Sequence, residues 1–332
     1  MERVVMVDPI AADFNNRADD AAGKVPGSES GRIVVCPACG GALEQRPEAV
    51  TCKACDAVYP VEHGYPILLV PGDKRFDDAA DCCLNADEVR TNSFTTTNYT
   101  LPLLRKLFEE RLKGKRLLSA GCGVGIDVDI CRNAGIDAYG IDCGSRSKAW
   151  LEREHKSAFH FGSVEHLPYS DSSFDAIVTG CLLPHIGVVG DTSTVGQDWK
   201  LQRQRVATEL LRVLRPGGFM IVGNPNRLCP LDLFHKGQMN GPNSLVRWHK
   251  PSEKFLLSFA DHKELFGKAA KLKTLPVAGY WGFHSKRQKF LTAMLALALR
   301  AYFVFLSIPQ FSFLRRSPLN PWLMILITKE RR

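Results

Sequence analysis

The sequence predicts an α/β protein with a doubly wound, mostly parallel sheet, preceded by a small β-rich module. Three observations carry this. From about Leu101 onward, short apolar runs of strand length alternate with helical segments, the pattern of a sheet covered on both faces. A glycine-rich turn, Gly121-Cys122-Gly123-Val124-Gly125, joins one such run to a helix. Residues 33–72 have another texture, short apolar runs punctuated by Cys, Gly and Pro.

In chain order, residues 1–32 are rich in Ala, Asp, Gly and Ser without apolar periodicity and read as a flexible tail. Ile33–Val35, Val58–Tyr59 and Ile67–Val70 are the apolar runs of the module, residues 33–72. Residues 73–100 are polar and read as a linker or gating segment. The main domain then runs over 101–332. Leu103–Leu112 is an amphipathic helix, Arg116–Ser119 a buried strand, Asp127–Asn133 a helix and Ala138–Ile141 a strand. Lys148–His155 is helical and Phe174–Thr179 a strand. Arg205–Leu214 is a helix stopped by Pro216-Gly217-Gly218, and Phe219–Val222 a strand. Asn224 to about Pro251 is irregular, Pro251–Ala269 helical, Leu272–Tyr280 strand-like, and Pro321–Thr328 the final strand.

The balance of 45% apolar and 23% charged residues excludes collagen-like, coiled-coil and wholly disordered chains. The net charge of +8 is concentrated: Lys286 to Arg332 holds nine basic residues and one acidic, while the rest is neutral. Eleven cysteines, and an N-terminal stretch with neither a basic start nor a long apolar run, predict a reducing compartment, the cytoplasm.

The glycine turn has a second half. Ile141-Asp142 ends the next strand, 21 residues after Gly121, where a carboxylate can accept hydrogen bonds from both hydroxyls of a ribose. A dinucleotide fingerprint would want glycine where Ile126 stands, so NAD is disfavoured. The competing readings are a plain tight turn and an Asp142 that caps a helix.

Several motifs extend the pattern: Leu117-Leu118-Ser119-Ala120 ahead of the turn, Gly140-Ile141-Asp142, Phe161-Gly162-Ser163-Val164-Glu165-His166-Leu167-Pro168-Tyr169, Ser173–Val178, Leu183-Pro184-His185-Ile186 and Leu211–Gly218. In this order and spacing, the region from Leu101 to Lys329 resembles the class I S-adenosylmethionine (SAM)-dependent methyltransferases of small-molecule type. The resemblance implies a Rossmann-like sheet of seven strands and SAM as cofactor. It implies that Ser119, Gly121, Cys122, Gly123 and Gly125 wrap the methionine part and that Asp142 holds the ribose. Ser163 and Val164 would border the adenine, and Cys181 to His185 would face the substrate and the transferred methyl. Two positions depart from the family, which usually has an acidic residue where Ser119 stands and Asp where Ser163 stands; both losses weaken cofactor binding unless other groups substitute.

Cys36-Pro37-Ala38-Cys39 and Cys52-Lys53-Ala54-Cys55 form two C-x-x-C knuckles twelve residues apart. They can present four thiolates to one Zn²⁺ in a closed, structural site, whose metal would supply much of a forty-residue module's folding energy. Redox pairs or disulfides are the competing reading. With Tyr59–Leu69 behind them, residues 34–72 look like the zinc-ribbon modules that accompany tRNA- and rRNA-modifying methyltransferases.

Methyl transfer from a sulfonium is an in-line displacement that needs a general base only when the nucleophile arrives protonated. His185 is the candidate base. Phe290–Ile308 is apolar apart from Arg300 and lies between Lys286, Arg287 and Lys289 on one side and Arg315 and Arg316 on the other. It forms the heart of an insertion near 284–318. Arg300 and the strand that must follow argue against a simple membrane span. A cap over the pocket, or an interfacial helix that meets anionic lipid through 286–316, fits better. The expected function is methyl transfer to a small or lipid-linked, hydrophobic acceptor, at oxygen, in the cytoplasm or at a membrane surface. The alternatives are an RNA methyltransferase that grips phosphate with the ribbon and the basic C-terminus, and a degenerate SAM-binding scaffold.

Overall fold

The computed structural model describes residues 33–46, 48–75, 82–190, 193–232, 235, 247–281 and 290–331. The tail expected over 1–32 and the basic flank Lys286, Arg287 and Lys289 lie outside the described residues.

Eleven strands form one sheet. In chain order they begin with the module's β1 (Leu43–Gln45), β2 (Ala49–Cys52), β3 (Val58–Glu62) and β4 (Tyr65–Leu68). Helices α1 (Cys82–Thr95) and α2 (Leu101–Leu107) follow, joined by one π-helical turn, Thr96–Thr100. Then come β5 (Arg116–Ala120), α3 (Ile126–Asn133), β6 (Asp137–Asp142), β7 (Phe159–Gly162), β8 (Phe174–Gly180), the short α4 (Leu182–His185), α5 (Trp199–Val213) and β9 (Leu214–Pro225). A two-stranded ribbon, β10 (Leu231–Asp232) with β11 (Arg247–Trp248), stands apart from the sheet. The chain ends with α6 (Phe259–Phe266), β12 (Ala270–Thr274), α7 (Phe290–Ser307) and β13 (Trp322–Lys329).

The sheet order is β1-β2-β3-β4-β7-β6-β5-β8-β9-β13-β12. The run from β4 through β7, β6, β5 and β8 to β9 is parallel. Strand β13 is antiparallel to both β9 and β12. The sheet therefore counts eleven strands against the seven expected. Residues 116–329 supply seven of them, and the module adds four, because β4 pairs with β7 through Ile67 opposite Phe161 and Leu68 opposite Gly162. Far from hanging on a linker, the module continues the main sheet. Its leading edge is held as well: Val35 N donates to Pro168 O and Ser170 N to Ile33 O.

Alternation along the strands explains the double winding. Leu118, Ile177, Met220, Val222, Leu323 and Ile325 face one way and pack with Val206 and Leu210 of α5 and Phe266 of α6. Leu117, Ala176, Phe219, Ile221, Trp322 and Met324 face the other, toward Leu104 of α2, Val128 of α3, and Phe303 and Leu306 of α7. The module's Val50 and Tyr59 belong to the first cluster, so one continuous core spans module and domain.

Several elements differ from the sequence reading. Residues 82–100, expected as linker, are helical and pack on the main domain: Thr95 Oγ1 donates to Tyr280 O at 3.0 Å and Tyr99 OH to Pro276 O at 2.5 Å. The helix expected over 148–155 is a 3-10 segment, Ser145–Glu152, ended where Asp129 accepts from the Glu154 and His155 amides. The helix expected from Pro251 begins only at Phe259, where Ser258 and Asp261 form a capping box. Strand β12 stops before Pro276, which has no N–H for the ladder. Among the described residues no single helix is long and apolar enough to cross a membrane. The pair Leu297–Ser307 and Pro309–Arg316, bent by 105°, meets that length and composition only together.

Candidate functional site

The glycine turn sits at the carboxyl end of β5. Gly125 starts α3 with φ +74°, and a Cβ there would stand 2.3 Å from the Phe159 ring, so a side chain is excluded twice over. Trp150, fully buried and stacked on Phe159 at 5.2 Å, donates from Nε1 to Gly123 O at 2.8 Å and fixes the turn from below. Asp142 ends the neighbouring β6. One carboxylate oxygen accepts from Gly123 N at 2.9 Å and the other from Gly144 N at 2.8 Å. A carboxylate has about four acceptor positions, so two remain for a ligand.

A cavity of about 290 Å³ opens beside the turn. Of the predicted cofactor residues, Ser119, Gly121 and Cys122 line it. Gly123, Gly125 and Asp142 are not among its lining residues, and Asp142 is tied to the turn through Gly123 N. Ser163 and Val164, both buried, follow β7 two strands away, where Ser163 Oγ accepts from Glu165 N. Burial keeps the Cys122 thiol protonated, well above its ordinary range.

Sequence reasoning missed a carboxylate. Asp127, in the first turn of α3, lines the cavity, and its Oδ2 accepts from Ser119 Oγ at 2.5 Å. Its other oxygen, Oδ1, is buried without a partner among the described residues. Desolvation raises this carboxyl above the usual carboxylate range, although the Ser119 hydroxyl works against the rise. Thr179 Oγ1, on β8 across the cavity, is likewise buried and unpartnered. The signal for Asp127 lay in the sequence as an acidic residue eight positions after the absent one at 119.

Glu88 was missed too. It reaches from α1 over the turn, accepts from Val124 N at 3.3 Å and pairs with Arg146 at 3.3 Å. Burial raises its carboxyl, with Asp142 and Asp127 adding to the rise against Arg146. Three carboxylates thus surround the turn. Together with the two unpartnered oxygens they fit a cationic ligand such as the sulfonium and ammonium groups of SAM.

At the end of β8, Cys181 takes the left-handed conformation, φ +55°, and its N–H donates to Gly223 O at 2.6 Å. Its Sγ is 3.4 Å from His235 Nε2, which is 3.3 Å from His185 Nε2. Burial pulls His185 down to about 3, helped by the neighbouring His235, so it is neutral at pH 7 and accepts a proton from an alcohol poorly. His235 is the residue that spacing could not reveal: it joins the group from 50 residues downstream, with Nδ1 against the fully buried Asp232 at 2.7 Å. His249 and His262 are drawn into structural pairs, with Glu253 and with Ser258 O.

In the module, Cys36 Sγ stands 3.8 Å from Cys55 Sγ and Cys39 Sγ 3.5 Å from Cys52 Sγ, all four sulfurs lying within 4.8 Å of one another. Tetrahedral zinc with thiolates at about 2.3 Å sets sulfurs roughly 3.8 Å apart. The amides of Gly41 and Ala54 donate to Cys39 and Cys52, as they would to thiolates. The donor set and spacing fit a four-thiolate zinc site.

A family model described as a methyltransferase domain matches residues 118–222, the stretch from β5 into β9 that builds the turn and the cavity floor. A protein of Mycolicibacterium smegmatis named "Probable S-adenosylmethionine-dependent methyltransferase" is 28% identical over 138 residues, covering 39% of this chain and 48% of its own length. An O-methyltransferase of Aspergillus nomiae is 28% identical over 147 residues, covering 42% of this chain and 56% of its own. The chain thus spans about half the length of these curated relatives. A solved TehB-like SAM-dependent methyltransferase of Corynebacterium glutamicum aligns over 68% of this chain and 86% of its own, with 14% identity and a TM-score of 0.40.

Proposed function

We propose that this chain, which carries a class I SAM-dependent methyltransferase domain, transfers a methyl group to an oxygen of a small or lipid-linked, hydrophobic acceptor. The observation that carries the reading is the cavity beside the Gly121–Gly125 turn, lined by the carboxylates of Glu88 and Asp127, with the unpartnered oxygens of Asp127 and Thr179 inside the matched stretch. When bound, SAM supplies an electrophilic methyl on a sulfonium. Asp142 holds the ribose, the turn approaches the methionine part, and Ser163 with Val164 borders the adenine. Asp127 replaces the acidic group missing at Ser119 and takes the ammonium. Incubation with tritiated SAM and matched panels of hydrophobic alcohols, hydrophilic alcohols and total RNA tests the whole reading. Label on the hydrophobic panel supports it, and label on the hydrophilic panel, on RNA or on none of them sinks it.

The Asp127 assignment has its own test. Asp127→Asn keeps the shape and removes the charge, and should weaken S-adenosylhomocysteine binding about tenfold to a hundredfold by calorimetry, the worth of one charge-assisted contact. Because burial raises the Asp127 carboxyl, its anion fraction grows as pH climbs through and above the ordinary carboxylate range. Wild-type affinity should therefore rise with pH there, and Asp127→Asn should flatten the curve. Ser119→Asp in the Asp127→Asn background should recover part of the loss. Equal affinities at every pH would discard the role.

A hydrophobic acceptor is supported by the C-terminal insertion. Met294, Leu297, Val304, Phe305, Ile308 and Phe313 are exposed there, beside Arg300 and Arg316. In this reading the chain is cytoplasmic and touches membranes through this surface, as a helix with basic flanks lies in an anionic interface. Co-sedimentation with phosphatidylserine-containing vesicles should exceed that with phosphatidylcholine alone, and Leu297→Asp with Phe313→Asp should reduce it at least tenfold. Equal partition of variant and wild type would count against lipid contact. The four-cysteine site is read as structural zinc.

A further inference from the structure

We infer that Cys181, His185 and His235 bind one divalent transition-metal ion of the zinc class, at a second site distinct from the four-cysteine cluster. The distances argue for it first. Zinc with nitrogen ligands at about 2.05 Å and sulfur at about 2.3 Å, tetrahedrally arranged, sets N···N roughly 3.3 Å and S···N roughly 3.5 Å apart. His235 Nε2 stands 3.3 Å from His185 Nε2 and 3.4 Å from Cys181 Sγ, and all three ligand atoms lie within 4.8 Å of one another. Both distances from His235 thus match the edges of a coordination tetrahedron, with the third ligand pair also within 4.8 Å.

Orientation is the second argument. His235 Nδ1 is 2.7 Å from Asp232 Oδ2, and Asp232 is fully buried and also paired with Arg247. With an ion bound, the Asp232 carboxylate would accept from Nδ1–H and leave the Nε2 lone pair for the metal, as behind metal-bound histidines. The third argument is strain. Cys181 holds a left-handed backbone, uncommon for a residue with a side chain, at the end of β8. Phe255 walls the group, its ring 5.4 Å from that of His185 and 5.0 Å from that of His235, and all three ligands keep partial exposure through which an ion can enter.

Three protein ligands leave a fourth position open, the arrangement of reactive rather than structural zinc. A borderline-soft ion there takes a thiolate, alkoxide or carboxylate oxygen or sulfur from a small molecule. Gly180, the residue before Cys181, lines the cavity. Resting on the methyl-transfer reading, the ion would stand beside that pocket and lower the pKa of an acceptor bound at its open position.

Metal content of the full chain tests the site apart from any activity. The chain is purified from zinc-supplemented medium, dialysed and assayed by plasma mass spectrometry, with circular dichroism as a check on folding. Wild type should carry two zinc ions per chain. His235→Gln and Cys181→Ser should each carry one. In cobalt-substituted protein, wild type minus His235→Gln should leave a tetrahedral d–d band with the charge-transfer intensity of a single thiolate. One zinc in wild type, unchanged in folded His235→Gln and Cys181→Ser, overturns the site and leaves a thiol–imidazole hydrogen-bond cluster. Two zinc ions without S-adenosylhomocysteine binding would sink the methyl-transfer reading alone. Binding with a single zinc confined to the four cysteines would sink the metal site alone.

Discussion

Asp142→Ala should lower the affinity for S-adenosylhomocysteine about a hundredfold, read by isothermal titration. Two effects add. The carboxylate has acceptor positions left for a ribose, and each charge-assisted bond to such a group is worth about 1.5–3 kcal/mol. At about 1.4 kcal/mol per tenfold, one or two bonds reach a hundredfold. The same carboxylate also ties Gly123 N and Gly144 N, so its loss loosens the turn that approaches the ligand. Asp142→Asn, which keeps one acceptor oxygen, should fall between. An Asp142→Ala affinity within threefold of wild type would show that the cofactor does not use this strand end.

Removing metal from Cys36, Cys39, Cys52 and Cys55 should unfold residues 33–68 and expose β7 as a new sheet edge. Structural zinc contributes apparent binding energies of about 10–16 kcal/mol, as large as the stability of a whole domain. The module's own strands are three to five residues long and cannot bury a sufficient core without it. Because β4 pairs with β7 and Tyr59 shares the main core, the loss should travel into the domain and promote aggregation at the bared edge. Hydrogen exchange before and after chelation, or in Cys52→Ser, reads this directly. Unchanged protection of β2 to β4 would mean that the thiols are not a metal site.

The reading from sequence succeeded where a local signal sufficed. Strands β5, β8 and β13 were legible as apolar runs, and the start of α3 because glycines must stand where the chain turns left-handed beside Phe159. Short or compensated signals failed. The four-residue β7 left no periodicity. Strand β12 was drawn too long because apolar Leu275 and Val277 mask the stop at Pro276. The polar composition of α1 looked like linker, since its packing comes through single contacts such as Thr95 to Tyr280 O. In the site, Ser119 is hydrogen-bonded to Asp127, a carboxylate eight residues on that no local motif marks.

By itself the sequence determined the α/β class, the glycine turn, the carboxylate at the end of β6 and the two cysteine knuckles. Each is written in neighbouring residues whose spacing is fixed by the geometry of one turn, one strand or one knuckle. Only the tertiary structure decided that the module extends the main sheet through β4 and β7. It also decided that Glu88 reaches over the turn, that Asp127 faces the cavity, and that His235 meets Cys181 and His185 from some 50 residues away. These depend on where separate elements converge. That convergence follows from burying both faces of one twisted sheet, a condition no local spacing records.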